Sequence, residues 1–333
     1  MKIIVDAMGG DYAPQAVIEG VVQAVREWDL QVILVGDEEK IKFLLNKYRY
    51  PKEKIQFYPA TEVIGMSETP ALSVKKKRDS SIVVGLEMLK QGKGDAFFSA
   101  GNTGAVVCAS ALILDCLESI ERPGIAIHIP TLKEKSILID VGANIDPKPI
   151  HLLHYAIMAK AYFETVLNKN NPSIGLLNIG EEESKGTELM RHTYQLLSES
   201  NVNFLGNIEG KDLFSGKCDI IICDGFVGNI ALKISESMLE FARSLLKKSL
   251  MNNPLGFLGW GLMSLTSGRT KHQVDYTEYG GALLLGINGV VIIGHGRSNP
   301  KAIKNAIRVA QQEVTRQVNT KILNAIRNNY EKK

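Results

Sequence analysis

The chain has 333 residues with a mean hydropathy of −0.01, and 45% of its residues are hydrophobic. Such a composition is typical of a globular protein with a substantial core, and a net charge of +3 is too small to favour nucleic acid as the main partner.

The four cysteines form no CxxC pair and lie in apolar runs, so we expect buried, reduced thiols. The six histidines give one close pair without a third ligand nearby in sequence, so no metal site is predicted.

Short apolar runs alternate with longer amphipathic segments from the N-terminus onward. The first run, KIIV, reaches Asp6 after three apolar residues, which is typical of a first strand and not of a signal peptide. Further strands are predicted at QVILV (31–35), KIQFYP (54–59), DAFFSA (95–100), SILID (136–140), SIGLL (173–177), VNFLG (202–206) and CDIIICD (218–224). Helices are predicted over 14–28, 38–48, 80–91, 103–117, 148–167, 185–199, 228–249 and about 299–328, and the apolar runs on either side of Ile287-Asn288-Gly289 predict a hairpin. This alternation favours a mostly parallel sheet with helices on both faces.

Four of the predicted strands end in small or polar residues before the next helix begins. These turns are VDAMGGD (5–11), SAGNTG (99–104), IDVGAN (139–144) and CDGFVGN (223–229). In a parallel sheet they would all lie at the carboxyl edge, where glycine lets backbone N–H groups approach an anion and a helix N-terminus favours negative charge. A phosphate-bearing ligand is therefore expected, although such turns also suit glycine for backbone reasons alone. None of the four is the GxGxxG or P-loop motif, so nicotinamide and ATP lack their usual sequence support.

Three side chains near these turns are candidates for charge or proton chemistry. Lys233 lies one helical turn after Asn229, and Lys185 follows another predicted strand. His295, just after the predicted hairpin, is the best-placed histidine for general acid–base catalysis, with a purely structural role as the alternative.

Two stretches do not belong to this strand and helix pattern. The basic run KKKRD (75–79) is either a solvated face or a docking surface for an anionic partner. The stretch MNNPLGFLGWGLMSLTSG (251–268) has no charged residue and lies between basic residues, but it is too rich in glycine for a core helix and too short and broken to span a membrane.

Seven motifs give the chain a resemblance to a known family. DAMGGDYAP, KKKRDSS, SAGNTGA, DVGAN, EEESKG, CDGFVGN and YGGA occur in the order and spacing of the bacterial phosphate acyltransferases, and the resemblance extends from Met1 to the last helix. It implies an α/β fold, a Rossmann-like three-layer α/β/α sandwich of the isocitrate dehydrogenase/phosphotransacetylase type, in one domain over 1–333 with a projecting helical tip at 250–272. It also implies a homodimer, no cofactor, and transfer of a long-chain acyl group from acyl-[acyl carrier protein] to inorganic phosphate, giving acyl-phosphate for phospholipid synthesis.

This reaction fits the residues singled out above. Phosphate is already an anionic nucleophile, so no Ser-His-Asp device is needed, and the chain has no G-x-S-x-G elbow. We expect the protein to orient phosphate against the thioester and to stabilise the oxyanion. The catalytic candidates are Asn144, Lys185, Asn229, Lys233 and His295. The candidates for binding phosphate and substrate are Asp6, Gly9, Gly10, Asp11, Ser99, Gly101, Asn102, Thr103, Gly104, Asp140, Gly142, Asp224, Gly225, Phe226 and Gly228, with the four aspartates expected to order the turns.

The expected partners follow from the same resemblance. Acyl carrier protein is acidic, so Lys75, Lys76, Lys77 and Arg78 are candidates for its docking site. The apolar side chains expected to enter the lipid interface are Leu255, Phe257, Leu258, Trp260, Leu262, Met263 and Leu265, with a dimer-packing hairpin as the alternative. The protein is then cytoplasmic, peripherally associated with the inner face of the cell membrane, and hands its product to a membrane glycerol-3-phosphate acyltransferase.

Three other functions remain open at this point. A phosphotransacetylase acting on short acyl-CoA has the same reaction type, but its soluble product needs no membrane contact. A decarboxylating dehydrogenase of the related fold needs a nucleotide site and a metal-binding carboxylate cluster, and neither is evident. A non-catalytic protein that binds acyl chains or lipid is the alternative outside enzymes.

Overall fold

The computed structural model describes residues 1–251 and 280–330, and these residues form one eleven-stranded sheet. Its strands in chain order are β1 Lys2–Asp6, β2 Gln31–Gly36, β3 Ile55–Pro59, β4 Ala96–Ser99, β5 Gly124–Pro130, β6 Lys135–Ile139, β7 Ser173–Leu177, β8 Asn203–Ile208, β9 Ile220–Ile222, β10 Ala282–Leu285 and β11 Val290–Ile293. All eight single strands predicted from sequence and the hairpin β10–β11 are present. The additional strand β5 was not predicted, because glycine, histidine and proline interrupt its apolar run.

The sheet consists of two parallel blocks that run in opposite directions. The strand order is β3-β2-β1-β4-β11-β10-β5-β6-β9-β7-β8. The first five strands are mutually parallel, and so are β6, β9, β7 and β8. Between them, β10 pairs antiparallel with β11 and β5, and β5 pairs antiparallel with β6. The expectation of one carboxyl edge shared by all four glycine-rich turns is therefore wrong, since the turns after β1 and β4 lie at one edge and those after β6 and β9 at the other.

Helices cover both faces of this sheet. The helices in the described part of the chain are α1 Gln15–Glu27, α2 Glu38–Leu45, α3 Pro70–Lys76, α4 Ser81–Lys90, α5 Thr103–Ile113, α6 Pro149–Val166, α7 Glu188–Ser198, α8 Gly225–Met251, α9 Pro300–Thr315 and α10 Val318–Tyr330. One buried cluster unites the sheet with α1, α2, α6, α7, α9 and α10, and a second unites the other face with α3, α4, α5 and α8. The predicted three-layer sandwich is confirmed.

The C-terminal helical segment differs from its prediction. It is two helices rather than one, because Gln317 adopts a left-handed conformation with φ of 53° and ends the first helix. After this break α10 packs on α6, while α9 packs on α1. The sequence pattern did not show the break, because the apolar periodicity continues across it.

The predicted tip lies almost wholly outside the described residues. This holds for Leu255, Phe257, Leu258, Trp260, Leu262, Met263 and Leu265, the seven side chains expected to contact lipid. In the segments 1–251 and 280–330, no helix combines the length and the apolar character needed to cross a bilayer.

Candidate active site

The turns after β1 and β4 are joined through a buried carboxylate. Asp6 is fully buried, and its carboxylate accepts hydrogen bonds from the Ser99 hydroxyl at 2.7 Å and from the Met8 N–H at 2.9 Å. Ser99 Oγ in turn accepts the N–H of Gly101 at 3.0 Å. Burial raises the pKa of Asp6, and hydrogen bonds from Ser81, Ser99 and the backbone of Met8 oppose that shift. Asp6 and Ser99 therefore fix the backbone of two turns, and neither lines a described cavity.

Glycine is required where the β1 turn packs on its neighbours. A Cβ atom at Gly9 would lie 2.7 Å from the backbone nitrogen of Gly101. Gly10 has φ of 110°, and Asp11 donates its N–H to the carbonyl of Gly296 after β11 at 2.7 Å. The predicted phosphate ligands Gly9, Gly10 and Asp11 thus pack against other turns and do not line a described cavity.

The start of α5 faces a cavity. Asn102 Oδ1 accepts the N–H of Ala105 at 3.0 Å, and its Nδ2 donates to three carbonyls in the segment before α3, so its side chain is structural. The next two residues, Thr103 and Gly104, line the cavity. Because N–H groups in the first turn of a helix have no acceptor within it, those of Thr103 and Gly104 can bind an anion there.

The turn after β6 corrects one catalytic candidate. Asn144 Nδ2 donates to the carbonyl of Pro123 at 2.6 Å and to the hydroxyl of Tyr155 at 2.7 Å, and it lies 3.3 Å from Asp140 Oδ2. Both amide protons are thereby engaged, so Asn144 is not a donor to the thioester carbonyl. Burial raises the pKa of Asp140, and four backbone N–H groups oppose this shift.

The turn after β9 is organised by a helix cap. The carboxylate of Asp224 accepts the N–H groups of Phe226 at 3.0 Å and Val227 at 2.9 Å. These first-turn donors of α8 are therefore occupied. Gly225 and Gly228 pack against Asn144 and Asp140, where any Cβ atom would clash with backbone.

A cavity of about 470 Å³ lies between the two blocks, and apolar residues form much of its lining. We call it the polar cavity because Thr103, Asn229, Lys233 and His295 also line it. Six of the residues predicted from sequence line it: Thr103, Gly104, Gly142, Asn229, Lys233 and His295. The central strands of the sheet also line it, through Ile125 and Ile127 of β5, Ala282 of β10 and Ile293 of β11. The short central strands thus bring a turn of the first block and a turn of the second block onto one cavity.

A groove of about 670 Å³ adjoins the polar cavity, and we call it the apolar groove for its ten apolar side chains. Its lining also includes Tyr12, Ser235, Glu240 and Arg297. Its apolar lining is Ile127, Ile129, Pro130 and Leu138 of the sheet, Leu213 and Phe214 before β9, and Ala231, Leu232, Met238 and Leu239 of α8. Five residues line both spaces, which are therefore adjacent: Ile127, His128, Leu232, Glu236 and His295. Sequence reasoning missed the groove, and the only signal for it was the inward apolar face of the predicted helix 228–249.

His295 lies where the polar cavity meets the apolar groove. Its Nδ1 accepts the backbone N–H of Arg297 at 3.1 Å, which leaves the proton of the neutral ring on Nε2. That Nε2 lies 3.9 Å from a carboxylate oxygen of Glu236, a lining residue that sequence reasoning did not single out. In this tautomer the Nε2–H of His295 can donate a hydrogen bond.

The two candidate lysines are separated by the fold. Lys233 is exposed, lines the polar cavity, and makes no ion pair with any described residue. Lys185 follows β7, which is separated from β6 by β9, and it lines neither described cavity. No group of three or more metal-ligating side chains occurs within 1–251 and 280–330.

Comparisons with known proteins agree with this architecture. A family model described as fatty acid synthesis protein matches residues 1–321. A phosphate acyltransferase of Dictyoglomus turgidum is 48% identical over 332 residues, covering 98% of each chain, and one of Halothermothrix orenii is 45% identical over 321 residues, covering 96% of each. Among solved structures, a phosphotransacetylase from Streptococcus pyogenes has a TM-score of 0.65 at 18% identity, covering 95% of this chain and 94% of that one. EutD phosphotransacetylase from Staphylococcus aureus has a TM-score of 0.60 at 14% identity over 94% of each chain, so these two structures share the fold.

Proposed function

Because the chain belongs to the phosphate acyltransferase family of fatty acid and phospholipid synthesis, we propose that it transfers a long-chain acyl group from acyl carrier protein to inorganic phosphate in the polar cavity. The thioester C–S bond breaks, a C–O bond to phosphate forms, and the proton of hydrogen phosphate passes to the released thiol. The observation that carries this proposal is that the polar cavity and the apolar groove adjoin and share five lining residues. The reaction needs one space for an anion and an adjoining space for a hydrocarbon chain.

Phosphate binds between α5 and α8 in this proposal. The backbone N–H groups of Thr103 and Gly104 are donors at a helix N-terminus, and Lys233 supplies positive charge from the facing helix. Phosphate needs no deprotonated side chain to become a nucleophile. The contribution of the protein is therefore to hold it against the thioester carbonyl, which can lower the barrier by several kcal/mol.

The oxyanion of the tetrahedral intermediate is stabilised by neutral donors. Asn229 lines the polar cavity opposite Gly142, and His295 carries its proton on Nε2. Preorganised donors of this kind stabilise developing charge without themselves changing protonation state. The thioester carbonyl is placed where the polar cavity meets the apolar groove, next to both side chains.

The acyl chain occupies the apolar groove. Burial of each methylene group contributes about 0.8 kcal/mol, so a long chain binds much more tightly there than an acetyl group. The groove favours this function over a short-chain phosphotransacetylase, which has no use for it.

The test is release of free thiol from a long-chain acyl carrier protein with and without phosphate, and from acetyl-CoA in parallel. We expect phosphate-dependent release from the carrier alone, and release only from acetyl-CoA would contradict the proposal.

The Lys233→Ala variant should raise the KM for phosphate about tenfold or more, because it removes the cationic side chain of the polar cavity. Lys185→Ala is the matched control and should keep wild-type kinetics, since its side chain lines neither described space.

A homodimer is proposed from the outer face of α8. Apolar side chains at 227, 230, 234, 238, 241 and 245 recur every three or four residues, and each is between 38% and 58% exposed. One of them, Met238, also borders the apolar groove. A second copy of α8 would cover this stripe. Ile234→Asp combined with Phe241→Asp should give monomers in sedimentation velocity, and the exposed control Ser237→Asp should not.

The carrier protein is proposed to dock on the basic run 75–78, and the segment 250–272 is proposed as the membrane contact. The acidity of the carrier and the long apolar product support these assignments. The protein would then be cytoplasmic and peripherally bound to the inner face of the membrane. There it would pass acyl-phosphate to a membrane acyltransferase that esterifies glycerol 3-phosphate.

A further inference from the structure

The turn after β6, residues 140–144, is built around one buried carboxylate. Asp140 is fully buried, and its Oδ1 accepts the N–H groups of Ile125 at 3.2 Å, Gly142 at 3.0 Å and Ala143 at 2.8 Å. Its Oδ2 accepts the N–H of Asn144 at 2.8 Å. We refer to residues 140–144 as the Asp140 turn.

A phenol from α6 ties the Asp140 turn to the rest of the core. The Tyr155 side chain is fully buried, and its hydroxyl accepts a hydrogen bond from Asn144 Nδ2 at 2.7 Å. The same hydroxyl donates to the carbonyl of Pro123 at 3.5 Å, and Asn144 Nδ2 donates to that carbonyl at 2.6 Å. Tyr155, Asn144 and Pro123 thus form a closed set of hydrogen bonds beneath the turn, which holds Asn144 in one orientation.

The other side of the Asp140 turn packs on the start of α8. Gly225 donates its N–H to the carbonyl of Asn144 at 2.8 Å, and a Cβ atom at Gly228 would lie 1.9 Å from the carbonyl oxygen of Asp140. Gly142 has φ of 134°, and a Cβ atom there would lie 3.7 Å from the side chain of Asn229. The position of Asn229 in the polar cavity therefore depends on the position of the Asp140 turn.

We propose that Tyr155 is a positioning residue for acyl transfer: its hydroxyl fixes Asn144, Asn144 fixes the Asp140 turn, and the turn fixes Asn229. This inference rests on the proposed function, because it takes Asn229 as a donor to the substrate. Tyr155 lines neither described space and so touches no substrate. Displacements of about 1 Å are enough to lower the rate of an enzyme strongly.

The test compares two phenylalanine variants. Tyr48 has a half-buried phenol beside Glu19, packs against the same core cluster as Tyr155, and lines neither described space. Both Tyr155→Phe and Tyr48→Phe remove one phenol hydroxyl, and the melting temperature of each variant reports any general loss of stability. Only Tyr155→Phe should lower kcat, by about tenfold, with the KM for acyl carrier protein unchanged. Equal kcat losses in the two variants, or a wild-type kcat in Tyr155→Phe, would overturn the proposal.

A double-variant cycle separates this proposal from the proposed function. If Tyr155 acts through Asn229, adding Tyr155→Phe to Asn229→Ala should cost little further activity. A further tenfold loss in that background would overturn the positioning role and leave the site intact. Full activity of Asn229→Ala would overturn the proposed oxyanion site and the positioning role together.

Discussion

Glu313 in α9 is a buried acid that makes the stability of the fold, and not the catalytic step, depend on pH. Glu313 is 3% exposed, and one of its carboxylate oxygens has no hydrogen-bond partner among the described residues. Burial raises the pKa of Glu313 to about 8. The folded protein therefore binds this proton more tightly than the unfolded chain, whose glutamates titrate near 4.5.

The stability due to protonated Glu313 is full below about pH 4.5 and is lost as the pH rises through about 8. We expect Glu313→Gln to match wild type in its free energy of unfolding near pH 5 and to exceed it by a few kcal/mol near pH 8.5. Calorimetric unfolding at both pH values measures this difference. The control Glu87→Gln, at an exposed position in α4, should leave the pH profile unchanged. Parallel pH profiles for wild type and Glu313→Gln would contradict the prediction.

At the scale of one element, α3 refines the candidate docking site. The sequence pattern did not predict this helix, which begins at Pro70 and contains the first two lysines of the basic run. Lys77, just after its last residue, is held by the Glu68 carboxylate at 2.6 Å and by the Val63 carbonyl at 2.7 Å, and this contact lowers the pKa of Glu68 to about 2. Lys75, Lys76 and Arg78 are exposed and remain available to an anionic partner.

Lys75→Glu with Lys76→Glu should raise the KM for acyl carrier protein several-fold, because two attractive charges become repulsive. The salt dependence of that KM should fall, while kcat should stay within about twofold of wild type. Steady-state kinetics at two ionic strengths measures both effects. Lys52→Glu with Lys133→Glu, two exposed lysines elsewhere, is the control for net charge. An unchanged KM in the Lys75/Lys76 variant would make the run a solvated face.

At the scale of the whole molecule, the opposed strand blocks explain how one cavity collects distant residues. Thr103 follows β4 of the first block, and Asn229 follows β9 of the second. The antiparallel strands β10 and β5 lie between the blocks, and the polar cavity extends across them. In a single parallel sheet, all four glycine-rich turns would lie at one edge, and no antiparallel strands would line a cavity between two blocks.

The proposed membrane contact of segment 250–272 determines where the whole protein acts. Wild type should co-sediment with vesicles containing anionic lipid, and Trp260→Ser with Phe257→Ser and Leu262→Ser should lose most of that binding. Each fully buried large apolar side chain contributes about 1.5–3 kcal/mol, so three changes weaken partitioning by orders of magnitude. The rate with carrier substrate in solution should be unchanged. Undiminished vesicle binding by the variant would favour a dimer-packing role for the segment.

Except for β5, α3 and the break between α9 and α10, the order of strands and helices was predictable from the sequence alone, because periodicity and turn chemistry are local properties. The sequence also located the turns whose glycines the packing requires, such as Gly10 with φ of 110°. Among the catalytic candidates, Asn229, Lys233 and His295 line the polar cavity, since each closely follows the end of a strand.

Which turns meet and which side chains have no partner in the core depends on contacts between segments far apart in the sequence. The bond from Ser99 to Asp6 joins residues 93 positions apart, and no local pattern encodes such a pairing. For the same reason, the sequence did not show the reversal of the second block or the hydrogen bonds of Asn144 with Pro123 and Tyr155. It also did not show that the polar cavity and the apolar groove adjoin. These features depend on contacts between distant segments, which form only when the whole sheet has assembled.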